Sequence, residues 1–272
     1  MSMLHRGSKG EDVRKIQKKL DRAGFSPGEI DGVFGRATEL AVINFQRSEG
    51  LLVDGIVGPE TVKALFKKKI PAEIRIKAED ITPRISINFV SKVFNASSKV
   101  KRNIQKHLPL VLKALRQQKL TDRKMVLMAL ATIRAETGGF EPISEFKSKF
   151  NTSPKGHPFD LYDYRKDLGN RGKPDGESFK GRGFVQLTGR DNYTKFSKKL
   201  GIGKELVKNP DKANNPLIAA RLLALFLKDN ELTIKDALLR RSYKEARKLV
   251  NGGTHGLQVF RDTYIKGERL LK

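Results

Sequence analysis

Apolar residues recur along most of this chain at the three- and four-residue spacing of one helix face. Val13, Ile16 and Leu20 predict a first helix, with Ser8 and Glu11 spaced as a capping box ahead of it and Gly24 as its stop. Leu40, Val42 and Phe45 predict a second, and Val62, Leu65 and Phe66 a third, which ends at Lys67, Lys68 and Lys69. Residues 1–70 therefore read as a small three-helix module. The stretch from Pro71 to Pro83 keeps no period, and residues 71–84 read as a linker. From Ile85 the pattern is helical again: Phe89, Val93 and Phe94; Leu110, Val111, Ala114 and Leu115; then Val126, Leu127, Leu130 and Ile133 behind a cap at Thr121 or Asp122. Further helices are expected at Tyr193–Leu200, Leu217–Leu227, Tyr243–Leu249 and after Gly253. Between them, residues 138–183 are polar and rich in glycine, and so long a loop inside a domain marks a functional surface. The expected fold is mainly α: the module, then a larger helical domain over 85–272 with a loop-rich cleft.

The module contains an internal repeat. DGVFGRAT at 31–38 and DGIVGPET at 54–61 both fit D-G-x-x-G-x-x-T, and each precedes a helix. Asp-Gly makes a tight turn, and Pro59 suits a first helical position, where no amide hydrogen is required. With Phe45-Gln46 and Gly50-Leu51, these turns resemble the three-helix peptidoglycan-binding module found at the ends of bacterial and phage cell-wall hydrolases. The resemblance implies peptidoglycan as a partner.

Composition narrows the function classes. The chain has 272 residues, ample for a hydrophobic core, and carries 55 Lys and Arg against 30 Asp and Glu, a net charge of +25. Residues 1–70 hold 13 basic and 9 acidic residues, net +4, which leaves +21 for the rest. Such a charge suits anionic envelope polymers. Nucleic acid is the other polyanion, but there is no Trp and no nucleic-acid-binding motif to support a specific contact. No cysteine and only four His leave no thiolate chemistry and little material for a metal site, and no cofactor is expected. Leu217–Leu227, the longest apolar run, has eleven residues and is broken by Arg221, too short to span a bilayer. The opening MSMLHRGSKGEDV lacks the apolar core of a signal peptide, so synthesis in a host cytoplasm and release to the wall are expected, for a monomer.

Candidate chemistry centres on Glu136, in ATIRAETGGF. It ends a helix stopped by Thr137, Gly138 and Gly139, where the partial negative charge of the helix C-terminus disfavours a charged carboxylate and so suits a general acid. Nine residues on, Glu145 is the best placed second carboxylate, ahead of Glu141, Asp160 and Asp163. Glycoside hydrolysis uses such a pair. GRGFVQLTGRDNY at 181–193 adds Gln186, Thr188 and Asn192, neutral donors and acceptors of the kind that read sugar hydroxyls and acetamido groups.

Residues 85–270 resemble the catalytic domain of glycoside hydrolase family 19, the family of plant chitinases and many phage endolysins. AETGGF at 135–140 is similar to its H-E-T-G-G-W string, GRGFVQLT with Asn192 and Tyr193 to its G-R-G-P-I-Q segment, and NGG at 251–253 with Arg261 to its terminal I-N-G-G and arginine. The resemblance implies a lysozyme-like fold and an inverting reaction. It makes Glu136 the general acid, gives substrate contacts to Gln186, Thr188 and Asn192, and puts Asn251 and Arg261 in the cleft. Ala135 and Phe184 depart from it, standing where the family has His and Pro, and the 136-to-145 spacing is that of the phage and bacterial branch. The leading expectation is an endolysin-type peptidoglycan hydrolase that cuts the β-1,4 glycan. Alternatives are a chitinase, a lytic transglycosylase and a binding protein without catalysis.

Overall fold

The computed structural model describes residues 3–67, 79–251, 253 and 255–271. They divide into two compact units, one of Met1–Lys77 with Asp229–Leu249, the other of Ala78–Lys228 with Val250–Lys272. In the first, α1 (Glu11–Arg22), α2 (Arg36–Ser48) and α3 (Pro59–Lys67) form as the pattern predicts. Their core, which includes Val13, Ile16, Leu20, Phe34, Val42 and Phe45, is drawn from residues 4–65. Two details differ from expectation. Leu40 and Phe66 are 48% and 44% exposed, and Ala41 packs inward instead. The capping box is absent as well: Gly10 precedes α1 at φ 119, and the Ser8 hydroxyl accepts from His5 N. A bridge between Lys9 and Val33, with Gly10 N donating to Gly32 O at 2.9 Å, ties this end of the helix to the first Asp-Gly turn, so a tertiary contact replaces the local cap.

Each repeat turn is locked by one buried glutamine. Gln17 Nε2 on α1 reaches Asp31 Oδ1 and the Glu29 and Val33 carbonyls at 3.0–3.1 Å, and its Oε1 accepts from Gly32 N at 2.8 Å. Gln46 on α2 does the same for Asp54, Ile56 and Gly55 at 2.8–2.9 Å. Thr38 and Thr61 stand beside the two amides. The motif thus has a structural cause. Its Asp accepts, its Gly offers an amide at positive φ (79 and 74), and its Thr closes the pocket around a helix-borne glutamine.

Of the expected linker, residues 68–78 lie outside the described residues. Its far end is packed, contrary to the expectation. Ile81 and Thr82 are buried, Ile81 N donates to Thr121 O at 3.0 Å, and Arg116 Nε donates to the Thr82 hydroxyl at 2.8 Å.

The second unit opens with α4 (Ile87–Phe94) and α5 (Ser98–Gln117), capped by the Ser86 and Ser97 hydroxyls, and α6 (Arg123–Thr137), capped by Asp122. Every residue of α6 from Met125 to Ile133 is buried, which makes it the central helix. Then follow α7 (Asp175–Ser178), α8 (Arg190–Lys199), α9 (Glu205–Lys208) and α10 (Pro216–Asp229). The next two helices in the chain, α11 (Glu231–Leu239) and α12 (Tyr243–Asn251), belong as far as Leu249 to the first unit, and the second unit ends with α13 (Leu257–Leu270). α13 lies against α6 so closely that a Cβ on Gly267 would come within 2.5 Å of the Leu127 side chain. Two-residue strands, β1 (Ile143–Ser144) and β2 (Arg182–Gly183), pair antiparallel across the polar region. The fold is mainly helical, and no helix among the described residues is long and apolar enough to cross a membrane.

Candidate active site

Glu136 lies half-buried in the last turn of α6, so a carboxyl group is carried at the end of the buried central helix. Asn251, the last residue of α12, donates from Nδ2 to Glu136 Oε1 at 3.1 Å. The helix stops where the sequence predicts. Gly138 turns the chain at φ 62 with its amide on Arg134 O, and the Arg134 guanidinium donates to the Gly138 carbonyl. Beyond the turn, Asn103 of α5 donates to Gly139 O at 2.9 Å. Phe140 is fully buried, its ring 5.3 Å from Phe94 and 5.9 Å from Phe184. Phe184, which stands where the resembled family has Pro, therefore anchors the segment joining the two carboxylates.

Glu145 follows β1, with its amide on Gly181 O at 2.7 Å. Its side chain accepts three hydrogen bonds: from Asn151 Nδ2 and the Tyr162 hydroxyl on Oε1, both 2.9 Å, and from Gly181 N on Oε2 at 3.1 Å. All three partners donate, so both carboxylate oxygens serve as acceptors here. Tyr162 is held as a donor, because burial and then the Glu145 charge push its phenol above the ordinary tyrosine range. Gly181 allows a close approach: a Cβ there would lie 2.8 Å from Gln186 Oε1 and 3.2 Å from Glu145 Oε2, so either side chain would have to shift.

The other carboxylates weighed from sequence serve the loop itself. Glu141 is exposed and faces Asn103 Nδ2 at 3.4 Å. Asp160 accepts from the Ser153 amide and hydroxyl, bonds that hold its carboxyl below the usual range. Asp163 is buried between His157 Nε2 at 2.8 Å and Gly176 N at 2.9 Å.

Gln186, Thr188 and Asn192, expected from the sequence to contact sugar, are half-buried on the 181–192 segment, and their donors turn inward. Gln186 Nε2 donates to Ile143 O at 2.9 Å, the Thr188 hydroxyl to Gln186 O at 2.8 Å, and Asn192 Nδ2 to Thr188 O at 2.8 Å. These bonds shape the loop and leave side-chain oxygens as the groups that can face a ligand. Arg261 is exposed on α13, without a hydrogen bond or ion pair among the described residues. Asn151 and Tyr162, which orient Glu145, went unnoticed in the sequence because their meeting depends on a loop closing over 6 and 17 residues. Among the described residues no group of three His, Asp or Glu side chains is placed to hold a metal ion.

Residues 9–65 match the family model described as "Putative peptidoglycan binding domain". The spore cortex-lytic enzyme of Bacillus cereus is 46% identical over 65 residues, 24% of this chain and 25% of that protein. The N-acetylmuramoyl-L-alanine amidase CwlM of Mycobacterium tuberculosis is 46% identical over 57 residues, 21% of this chain and 14% of that protein. This chain therefore spans a quarter or less of the length of these relatives. Their names differ in activity, so the shared stretch, no longer than the module, describes the module and not the reaction. Among solved structures, chitinase C from Streptomyces griseus HUT6037 aligns over 69% of this chain and 76% of its own, at 19% identity and a TM-score of 0.44.

Proposed function

We propose that the chain is a modular cell-wall hydrolase: residues 1–70 bind peptidoglycan, and residues 85–272 cut its β-1,4 glycan by inverting acid/base catalysis in the manner of glycoside hydrolase family 19. The observation that carries this reading is a pair of carboxylates on two different supports. Glu136, at the end of the buried helix α6 with Asn251 Nδ2 3.1 Å from its Oε1, takes the role of general acid and protonates the leaving oxygen. Glu145, turned toward three donors, takes the role of base and polarises a water on the opposite face of the sugar. Asn251 positions the acid, and the side-chain oxygens of Gln186, Thr188 and Asn192 offer acceptors for sugar hydroxyls and acetamido N–H groups. Arg261 would join a substrate only from its exposed place on α13.

The test is reducing-end release from purified peptidoglycan by the full chain and by Glu136→Gln, which keeps shape and hydrogen bonding but cannot supply the proton. General acid catalysis contributes about 10²–10⁴ in rate, and a loss of that size is expected with the fold unchanged. A variant that keeps a third of the wild-type rate refutes the assignment. Release of amino groups in place of reducing ends would make the chain an amidase or peptidase.

A further inference from the structure

Residues 146–150 read Phe-Lys-Ser-Lys-Phe, and both rings face solvent: Phe146 is 76% and Phe150 77% exposed. Two bare phenyl rings so close together lose the burial that would stabilise them in the core, and such exposure marks an interaction surface. The loop that carries them is not loose. Asn151 N donates to Ser148 O, Ser148 N donates to Asn151 Oδ1, and Asn151 Nδ2 reaches the Phe146 carbonyl at 2.9 Å. That same Nδ2 holds Glu145 Oε1. One asparagine thus closes the loop and orients the proposed base, so rings and carboxylate are parts of one rigid piece. Lys147 and Lys149 lie between the two phenylalanines in the chain and are exposed, with Lys149 Nζ 5.4 Å from the Phe150 centroid.

We infer that the 146–150 loop is a substrate subsite for a hexosamine glycan bearing carboxylate substituents, its rings stacking on pyranose faces and its two lysines pairing with the carboxylates. The inference rests on the glycan reading of Glu136 and Glu145. Glycan is the occupant because the loop is fixed to the base one residue away from Phe146. A carboxylated glycan, rather than a neutral one, is chosen because two exposed lysines stand between the rings in the chain and the acid that precedes them, Glu145, is turned to its own donors. A neutral N-acetylglucosamine polymer would leave both lysines idle.

The experiment compares soluble peptidoglycan strands with the same strands whose carboxylates are blocked as neutral amides, reading reducing ends released by the full-length chain. Wild type is expected to prefer the charged strands. Lys147→Gln/Lys149→Gln should lower kcat/KM on charged strands by about threefold, the scale of exposed ion pairs, and so erase most of the preference. Phe146→Ala/Phe150→Ala should lose about tenfold or more on both strands. Lys99→Gln/Lys101→Gln, exposed on α5, removes the same charge elsewhere and should keep the preference. The inference is overturned if the loop lysine variant retains the preference, if the control loses it equally, or if the phenylalanine variant stays within twofold of wild type. Loss of binding to anionic phospholipid vesicles in that variant, with hydrolysis intact, overturns it in favour of a membrane-inserting loop. Wild type that releases no reducing ends from either strand refutes the catalytic reading itself.

Discussion

Three donors meet on the Glu145 carboxylate, and hydrogen bonds to a charged group contribute about 1.5–3 kcal/mol each. Removing one should loosen its orientation without unfolding the loop. Tyr162→Phe is therefore expected to lower kcat by roughly tenfold at pH 7, since a misaligned base acts through geometry. The phenol also has a pH consequence. Because its proton is held more tightly folded than unfolded, its contribution to stability is complete below the ordinary tyrosine pKa of about 10 and declines as pH rises through the raised folded value. Denaturation midpoints of wild type and Tyr162→Phe should accordingly converge above pH 10; a gap that stays constant would contradict the hydrogen bond. The place of Glu136 in the last turn of α6 was legible because the helix stop is written locally in Thr-Gly-Gly. The partners of Glu145 were not, since nothing local in Asn151 or Tyr162 announces a contact made only when the loop closes.

An ion pair joins two of the short elements near the site. Asp175 at the start of α7 is buried against the Arg190 guanidinium of α8, with Arg190 Nε 2.7 Å from Oδ2, and also accepts from Arg171 N at 2.9 Å. Burial works to raise the Asp175 carboxyl, but the hydrogen bonds from Arg190 and Arg171 outweigh it and hold the group below the usual range. The pair therefore stabilises the fold above the usual aspartate pKa of about 4, and that contribution is lost as pH falls through the lowered value. Asp175→Asn is expected to cost about 3 kcal/mol at pH 7 in urea denaturation, the low end for a broken buried pair because Arg190 keeps some exposure. A cost that persists unchanged at pH 2 would show that the charge is not its cause. Long helices such as α5, with one apolar face, and α6, apolar almost all round behind its Asp122 cap, could be read from the chain. The two-residue strands could not, because Ile143–Ser144 and Arg182–Gly183 pair across nearly forty residues and carry no alternation of their own. The Ser8 cap failed for a related reason: a bridge to a distant turn displaced a local rule.

The molecule divides its labour unevenly in charge. Residues 1–70 carry +4 of the total +25, and the module core draws on residues 4–65. Residues 1–70 expressed alone should therefore fold, with Gln17 and Gln46 locking their turns, and co-sediment with purified peptidoglycan. A folded segment that stays in the supernatant would contradict the binding role. Gln46→Leu should unfold this segment, because it leaves Gly55 N and Asp54 without their buried partner. Wall association of the full chain should also weaken with added salt, as exposed charges beyond about 8 Å are screened at 0.15 M.

Whether two carboxylates hydrolyse a glycan with a water between them is tested most directly by early-time proton NMR of a defined peptidoglycan oligosaccharide digested by the full chain. The account predicts new reducing ends that appear first as the α-anomer, from water attacking the face opposite the leaving group, and none with Glu136→Gln. First appearance of the β-anomer, 1,6-anhydro ends, or cleavage at an amide bond would contradict it.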